Sequence, residues 1–422
     1  MVAPMKLAVC AGILALTVAS PASAASLNKV LVIGTDGTRW DLVQNQMKAG
    51  KAPYMKRIAA RGFGRPSLLR YGPNTLTLSE VGWSSIASGV WEDKHGVDGH
   101  LLNMDPKQAT KNGYLDFLTR VERSRPSLNT FLASDWDNIG LPLNGGPIFG
   151  SAMDKNFSAR IPSETIENWN NGDAAVTKAA TRYLRHGDPD VSFVYLGLVD
   201  ETAHLAGSAT PTYSNAIATT DKRIGALLGA VRRRPTFPFE SWTIIVVTDH
   251  GQLPLSEPSP ASHFGKTKLE LTSFLVGSGP GLDRRVKKPL VVDILPTVLH
   301  QVGLRVPRRW HIDGHTLSHR KPPSSATARL RGHRLTVRIR FTVHQHVGGA
   351  SFRLPARADG PPTVRFNGRK VLARAVGRRV GAEFPPSPPR SLSLTVNTKG
   401  KRLGDSVRVT LAAAGILEIP LR

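Results

Sequence analysis

TIIVVTDHGQ, residues 243–252, opens as a strand and closes on two metal-binding side chains. Ile244, Ile245, Val246 and Val247 form an unbroken apolar run. Such a run suits a strand buried on both faces of a parallel sheet. Asp249 and His250 follow at once, and Gly251 ends the stretch. Two other runs share this form. KVLVIGTDG (29–37) reaches Asp36, and VSFVYLGLVD (191–200) reaches Asp200. Between them, YSNAIATTDKRIGALLGAVRR (213–233) spaces Ile217, Ile224, Leu227, Leu228 and Val231 as a helix does, and VVDILPTVLHQVGL (291–304) reads as another helix. Strands alternating with helices predict an α/β domain with a mostly parallel sheet.

In open α/β sheets functional groups gather beyond the carboxyl ends of the strands. An aspartate there is commonly a turn residue or helix cap. The neighbours of these three favour more. His204 follows Asp200 in DETAH, His250 follows Asp249, and His263 lies in ASHFGK (261–266). Carboxylates and imidazoles together suit Zn2+ or a similar divalent ion. The chain has only 13 histidines, which gives the clustering weight.

The nucleophile candidate is Ser79, in NTLTLSEVGWSSIASGVWEDKHGV (74–97), ahead of a helix expected to start near Glu80. A helix N-terminus carries partial positive charge and free N–H groups, so it binds phosphate and favours an alkoxide. The competing reading of Ser79 is a capping serine.

At this point the chain resembles the alkaline phosphatase superfamily, and within it the type I phosphodiesterases, or nucleotide pyrophosphatase/phosphodiesterases. The resemblance runs from about Lys29 to Leu317 and rests on ordered motifs. VLVIGTDGTRWD (30–41) is similar to the first metal strand and implies Asp36 as ligand. TLSEVGWSSIASG (77–89) is similar to the nucleophile segment, and counting ten residues back from Gly89 gives Ser79. KHGV (94–97), with His95, matches a structural motif. DETAH matches the pair Asp200 and His204, TDHG (248–251) the pair Asp249 and His250, and His263 the last ligand. DILPTVLHQVGL with DGHTL (313–317) is similar to the closing segment.

The resemblance implies two divalent ions, expected to be Zn2+, one held by Asp200, His204 and His263. The other takes Asp36, Asp249, His250 and the Ser79 oxygen. Paired ions about 3.5–4 Å apart clamp an in-line displacement at phosphorus. The expected reaction is hydrolysis of a phosphodiester or nucleotide pyrophosphate through a phosphoserine. Ser79 stands where the family's phosphodiesterases usually carry threonine, which keeps alkaline phosphomonoesterase activity open as the alternative. A non-catalytic polyanion- or wall-binding protein is the rival from another class. The Ser/Cys-x-Pro-x-Arg pattern of sulfatases is missing from the nucleophile segment, which argues against sulfate esters. Arg39 is open between a phosphate contact and a solvated turn residue, and Trp83, Trp91 and Trp136 between groove lining and core.

Residues 1–25 read as a cleaved secretory signal: Lys6, an apolar run from Leu7 to Val18, then Ala22-Ser23-Ala24. That run is too short for a comfortable membrane span. The protein is therefore expected to be secreted or extracytoplasmic. Cys10, the only cysteine, lies within that segment, so the chain has no thiolate metal site and no internal disulfide. The catalytic domain is expected over 26–318, a Pro/Ser-rich linker over 319–330, and a basic β-sandwich over 331–422. From His319 onward 21 Lys and Arg face 4 Asp and Glu, so this quarter of the chain holds +17 of the net +25. There Leu335, Val337, Ile339, Phe341 and Val343 alternate with polar residues, and VRFNGRKV (364–371) is a hairpin with an Asn-Gly turn. The charge leaves two readings, contact with an anionic surface or a solvated structural cap. Sequence-specific nucleic-acid binding is not expected, because few aromatics accompany the arginines.

Overall fold

A computed structural model describes residues 28–97, 109, 112–140, 148–237, 240–318, 325–331, 334–340, 349–353, 357–367, 369–376, 379–383, 391–399, 406–411 and 415–420. The expected signal segment, with Cys10, lies outside the described residues. No helix among them is long and apolar enough to cross a membrane.

The apolar runs become the middle of a seven-stranded sheet. Its strands are β1 (Asn28–Thr35), β2 (Phe63–Leu68), β3 (Thr130–Ser134), β4 (Lys155–Ser158), β5 (Val191–Leu196), β6 (Ser241–Val247) and β7 (Thr272–Ser278). The order is β2-β7-β6-β1-β5-β3-β4. From β6 to β4 the neighbours are parallel, while β7 and β2 add an antiparallel edge. The three strands that end on aspartates, β6, β1 and β5, are adjacent at the centre.

Every residue of β1 is buried, because the sheet is covered on both faces. Leu31 and Ile33 enter a core with Trp40, Ile217, Ile224 and Leu227. Val30 and Val32, on the other face, meet Trp83, Phe193, Leu295 and Val298. The period of two of a strand thus feeds two cores, which is why the run is continuously apolar rather than alternating. The expected helix over 213–233 is observed as Pro211–Arg232, with Thr210 Oγ1 accepting from Tyr213 N as its cap. The segment 291–304 divides into a 3-10 turn, Val291–Asp293, and an α-helix, Ile294–Gln301.

The C-terminal residues form two five-stranded antiparallel sheets, as a small sandwich requires. Leu335 and Val337 are buried and Arg338 is exposed, so the alternation has the expected sense. Asn367 takes φ 50 between Arg357–Phe366 and Arg369–Val371, as the Asn-Gly turn demands. One boundary changes. Residues 325–330, read as linker, lie in the strand Ser325–Arg331, which pairs with Arg334–Arg340. The Pro/Ser signal, at 322–325, ends on the first residue of that strand, and Ala326, Ala328 and Leu330 already alternate in sequence as a strand does.

Candidate metal centre

Asp36 is the first residue beyond β1, and its N–H bonds Leu196 O of β5 at 3.1 Å. Asp249 and His250 lie two and three residues beyond β6. Asp200 and His204 share the helix Leu198–Ala206 that follows β5, and their i,i+4 spacing puts both on one face, with His204 Nε2 3.1 Å from Asp200 Oδ2. His263 arrives from the loop after β6, its Nε2 3.0 Å from His204 Nε2. The imidazoles of His250 and His263 stack with centroids 3.9 Å apart. All six candidate ligand side chains meet at one carboxyl edge, and five are buried, with His204 partly exposed.

Their ligand atoms form two overlapping groups, Asp200 with His250 and His263, and Asp36 with Asp249 and His250. His250 stands between them, and His204 closes on the first group through Asp200 and His263.

The donor set has the form of a cation site. Each imidazole meets a backbone carbonyl through Nδ1: His250 with Gly251 O at 2.9 Å, His263 with Thr77 O at 2.7 Å and His204 with Ser259 O at 3.1 Å. A carbonyl can only accept, so Nδ1 carries the proton and Nε2 is left to face the carboxylates. Burial, then the neighbouring His263, lowers the pKa of His250 to about 3, so it is neutral. Its Nε2 lone pair points at Asp249 Oδ2 at 3.2 Å and Asp36 Oδ1 at 3.6 Å. Asp249 Oδ2 is itself buried with no hydrogen-bond partner among the described residues. Lone pair against carboxylate is repulsive unless a proton or a cation lies between them. Burial, then the charge of Asp36, raises Asp249 well above the usual carboxylate range. Burial and then Asp200 push Asp36 up to about 6. Asp200 behaves differently: burial acts to raise it, but His204 and His263 hold it well below the usual range.

Ser79 is the first residue of the helix Ser79–Ser88, whose N-cap is Leu78, and no side chain caps it. The capping role is therefore excluded. Ser79 Oγ lies 3.4 Å from Asp36 Oδ1 and 3.2 Å from His250 Nε2. The hydroxyl stands where a helix leaves N–H groups without intrahelical acceptors.

Several supporting residues carried no spacing signal. Trp83 Nε1 donates to Asp36 Oδ2 at 2.9 Å, and the Tyr195 hydroxyl donates to the same oxygen. Trp83 is fully buried, so it holds the Asp36 carboxylate rather than lining a groove. Gln252 Nε2 donates to Asp200 Oδ1. Glu80 Oε1 accepts from Asn138 Nδ2 at 3.2 Å beside the serine. Glu201 is pushed up to about 8 by burial and then by Asp200. Trp136 is half-buried and stacks on Tyr195 at 5.8 Å, and Trp91 packs edge-on against Tyr71. Arg39 is buried rather than solvated, and it bonds Asp41 and Ser208, which occupies its guanidinium. His95 is structural, bonded to Ser85 Oγ at 2.9 Å.

Two glycines are required by close approach. Gly37 has φ 51, and a Cβ there would come 1.9 Å from Asp200 Oδ1. A Cβ on Gly82 would meet Asp249 Cβ at 2.6 Å. Gly82→Ala is expected to displace Asp249 and cut bound metal and ester hydrolysis at least about tenfold, with circular dichroism unchanged. Full metal content in that variant would show that the helix yields instead.

Residues 30–298 match the sequence family described as type I phosphodiesterase / nucleotide pyrophosphatase. Among solved structures the fold is similar to that of a 2-O GAG sulfatase, 12% identical, TM-score 0.52, with 76% of this chain and 82% of that one covered. Murine ectonucleotide pyrophosphatase / phosphodiesterase 5 is 14% identical, TM-score 0.44, over 66% of this chain and 96% of that one. No curated protein matches the chain.

Proposed function

The chain belongs to the type I phosphodiesterase / nucleotide pyrophosphatase family, and from that premise we propose that it is a secreted, metal-dependent phosphoesterase that cleaves phosphodiester or nucleotide pyrophosphate bonds through a phosphoserine at Ser79. The observation that carries this reading is the position of Ser79 Oγ, at a helix N-terminus and 3.2–3.4 Å from atoms of the buried ligand cluster. Asp200, His204 and His263 would hold one divalent ion, expected to be Zn2+, and Asp36, Asp249 and His250 the other. Bound there, the ions would neutralise phosphoryl charge and lower the pKa of the serine hydroxyl and of water.

The chain's own residues supply the rest. Ser79 Oγ loses its proton and attacks phosphorus, and the bond to the leaving oxygen breaks. That oxygen takes the proton or leaves as the anion, and the phosphoryl group, with its remaining ester substituent where the substrate is a diester, passes to the serine. Water then attacks the phosphoserine, and Oγ leaves as the alkoxide. The first N–H groups of the helix Ser79–Ser88 face the phosphoryl oxygens. Trp83 and Tyr195 keep one oxygen of Asp36 occupied, so the other stays turned toward Ser79. The aliphatic walls around β1, β5 and β6 exclude water from beneath the site.

Ser79 rather than threonine favours a second reading of the same site, an alkaline phosphomonoesterase. Hydrolysis of bis-p-nitrophenyl phosphate and p-nitrophenyl phosphate by zinc-loaded protein separates them. A higher kcat/KM on the diester is expected, and a higher value on the monoester would move the assignment to the second reading. In the proposed organisation residues 1–25 are removed, 26–318 catalyse, and the basic residues after the link either contact an anionic surface or form a solvated structural cap.

A further inference from the structure

The opposite edge of the sheet carries a second feature that hydrolysis does not use. A cleft of about 530 Å³ opens beside the amino-terminal half of β6, at Trp242 and Ile244. Asp249 lies seven residues further along than Trp242, so cleft and ligand cluster are about 20 Å apart along that strand. The floor is apolar: Ile58, Leu228, Val231, Ile244 and Trp242 are each buried, and Phe237 closes one side. The rim is cationic, with Arg57 and Arg61 from the helix Pro53–Arg61, Arg232 from the end of the helix Pro211–Arg232, and Arg284 from the loop after β7. Among the described residues no aspartate or glutamate lines the cleft.

Among the described residues no carboxylate lies within ion-pair distance of any of the four guanidiniums. Glu240, close in sequence, is held by Arg234 at 2.8 Å, and Asp283 pairs with Arg285. Burial lowers the pKa of Arg232, and Arg61 and Arg57 lower it further, so the three charges repel across the opening. Arg61 and Arg232 lie in the last turns of their helices, where cations are favourable. That accounts for each singly, but not for the convergence of both with Arg57 and Arg284 around one apolar floor. Guanidinium forks match phosphate, sulfonate and carboxylate oxygens in pairs, and a cleft of this volume holds a small organic molecule.

We propose that this cleft is a binding site for an anionic amphiphile, a small molecule whose phosphate-, sulfonate- or carboxylate-type head meets Arg57, Arg61, Arg232 and Arg284 while its apolar body covers Ile58, Leu228, Val231 and Ile244. The site is separate from the esterase centre and does not depend on which ester that centre cleaves.

Titration calorimetry of the full chain with 1-octanesulfonate tests it, with sulfate as the head alone and 1-octanol as the tail alone. One equivalent of octanesulfonate is expected to bind, at least about tenfold more tightly than either part. The double variant Arg61→Gln/Arg232→Gln is expected to lose at least about tenfold in that affinity while still hydrolysing bis-p-nitrophenyl phosphate, since both side chains are exposed. Ser79→Ala is expected to bind as wild type. Binding unchanged in the double variant, or lost in Ser79→Ala, would place the ligand elsewhere and overturn the proposal. Sulfate or octanol binding as tightly as octanesulfonate would overturn the amphiphilic assignment.

Discussion

Ser79→Ala is expected to lower kcat/KM on bis-p-nitrophenyl phosphate by about a thousandfold or more while leaving bound metal and thermal stability nearly unchanged. The separation follows from the placement of the side chain. Leu78, not Ser79, is the N-cap, and no side chain caps the helix, so removing the hydroxyl costs no capping bond. Alanine is the best helix former, so the first turn persists. In the proposed mechanism the lost atom is the one that makes and breaks the bond to phosphorus, and its removal would leave only the positioning and electrostatic parts of catalysis. Other hydroxyls of the segment are poor substitutes. Ser84, Ser85 and Ser88 are buried along the same helix, and Thr77 Oγ1 donates to Gly265 O at 2.5 Å. Acid quenching of the wild type during turnover is expected to trap one phosphoserine per chain, on the peptide containing residue 79. A variant with wild-type turnover, or a trapped phosphate on another residue, would end the role given to Ser79.

Much of this site was legible because the sheet converts sequence into position. A strand that runs apolar for four or more residues and then meets an aspartate leaves that aspartate at the carboxyl edge. Three such strands that prove to be neighbours place Asp36, Asp200 and Asp249 together. The spacing of His204 from Asp200 then needs only one helical turn. His263 is different, for nothing local fixes it; Thr77 O and the ring of His250 do so from elsewhere in the chain. Trp83 and Tyr195 were not legible as supports of Asp36. Both sit on apolar patterns that core packing alone would satisfy, and only their polar tips, meeting across the cleft between a helix and β5, reveal the second use. Arg39 stayed open between a phosphate contact and a solvated turn residue because one of its partners, Ser208, is distant in sequence and only the fold brings it to the guanidinium beside Asp41. The linker was drawn too long because proline and serine at 322–325 obscured the short alternation that begins the strand Ser325–Arg331.

Asp249→Asn is expected to act in opposite directions on the metal-free and zinc-loaded protein. Asp249 Oδ1 accepts from Gly37 N at 3.2 Å, while Oδ2 is buried, lacks a hydrogen-bond partner among the described residues and faces Nε2 of His250 at 3.2 Å, the nitrogen that Ser79 Oγ also meets at 3.2 Å. An asparagine can keep the first bond through its oxygen and turn its amide toward Nε2. It carries at every pH the hydrogen that the carboxyl holds only when protonated. Satisfying a buried unpaired polar atom is worth about 1–3 kcal/mol, which raises the melting temperature of chelator-treated protein by about 2–4 °C per kcal/mol on a unit of this size. The same change removes one negative charge from the proposed ligand set, so zinc affinity and ester hydrolysis are expected to fall by at least about a hundredfold. The stabilisation that excess zinc gives the wild type, about 2.7 kcal/mol at one hundred times Kd, is expected to disappear at equal zinc. Melting curves at pH 8, with chelator and with zinc, give both signs in one experiment. A variant that binds zinc as wild type would remove Asp249 from the ligand set. One destabilised in chelator would show that Oδ2 is satisfied in some other way, and the case for a cation between Asp249 and His250 would lose its main support.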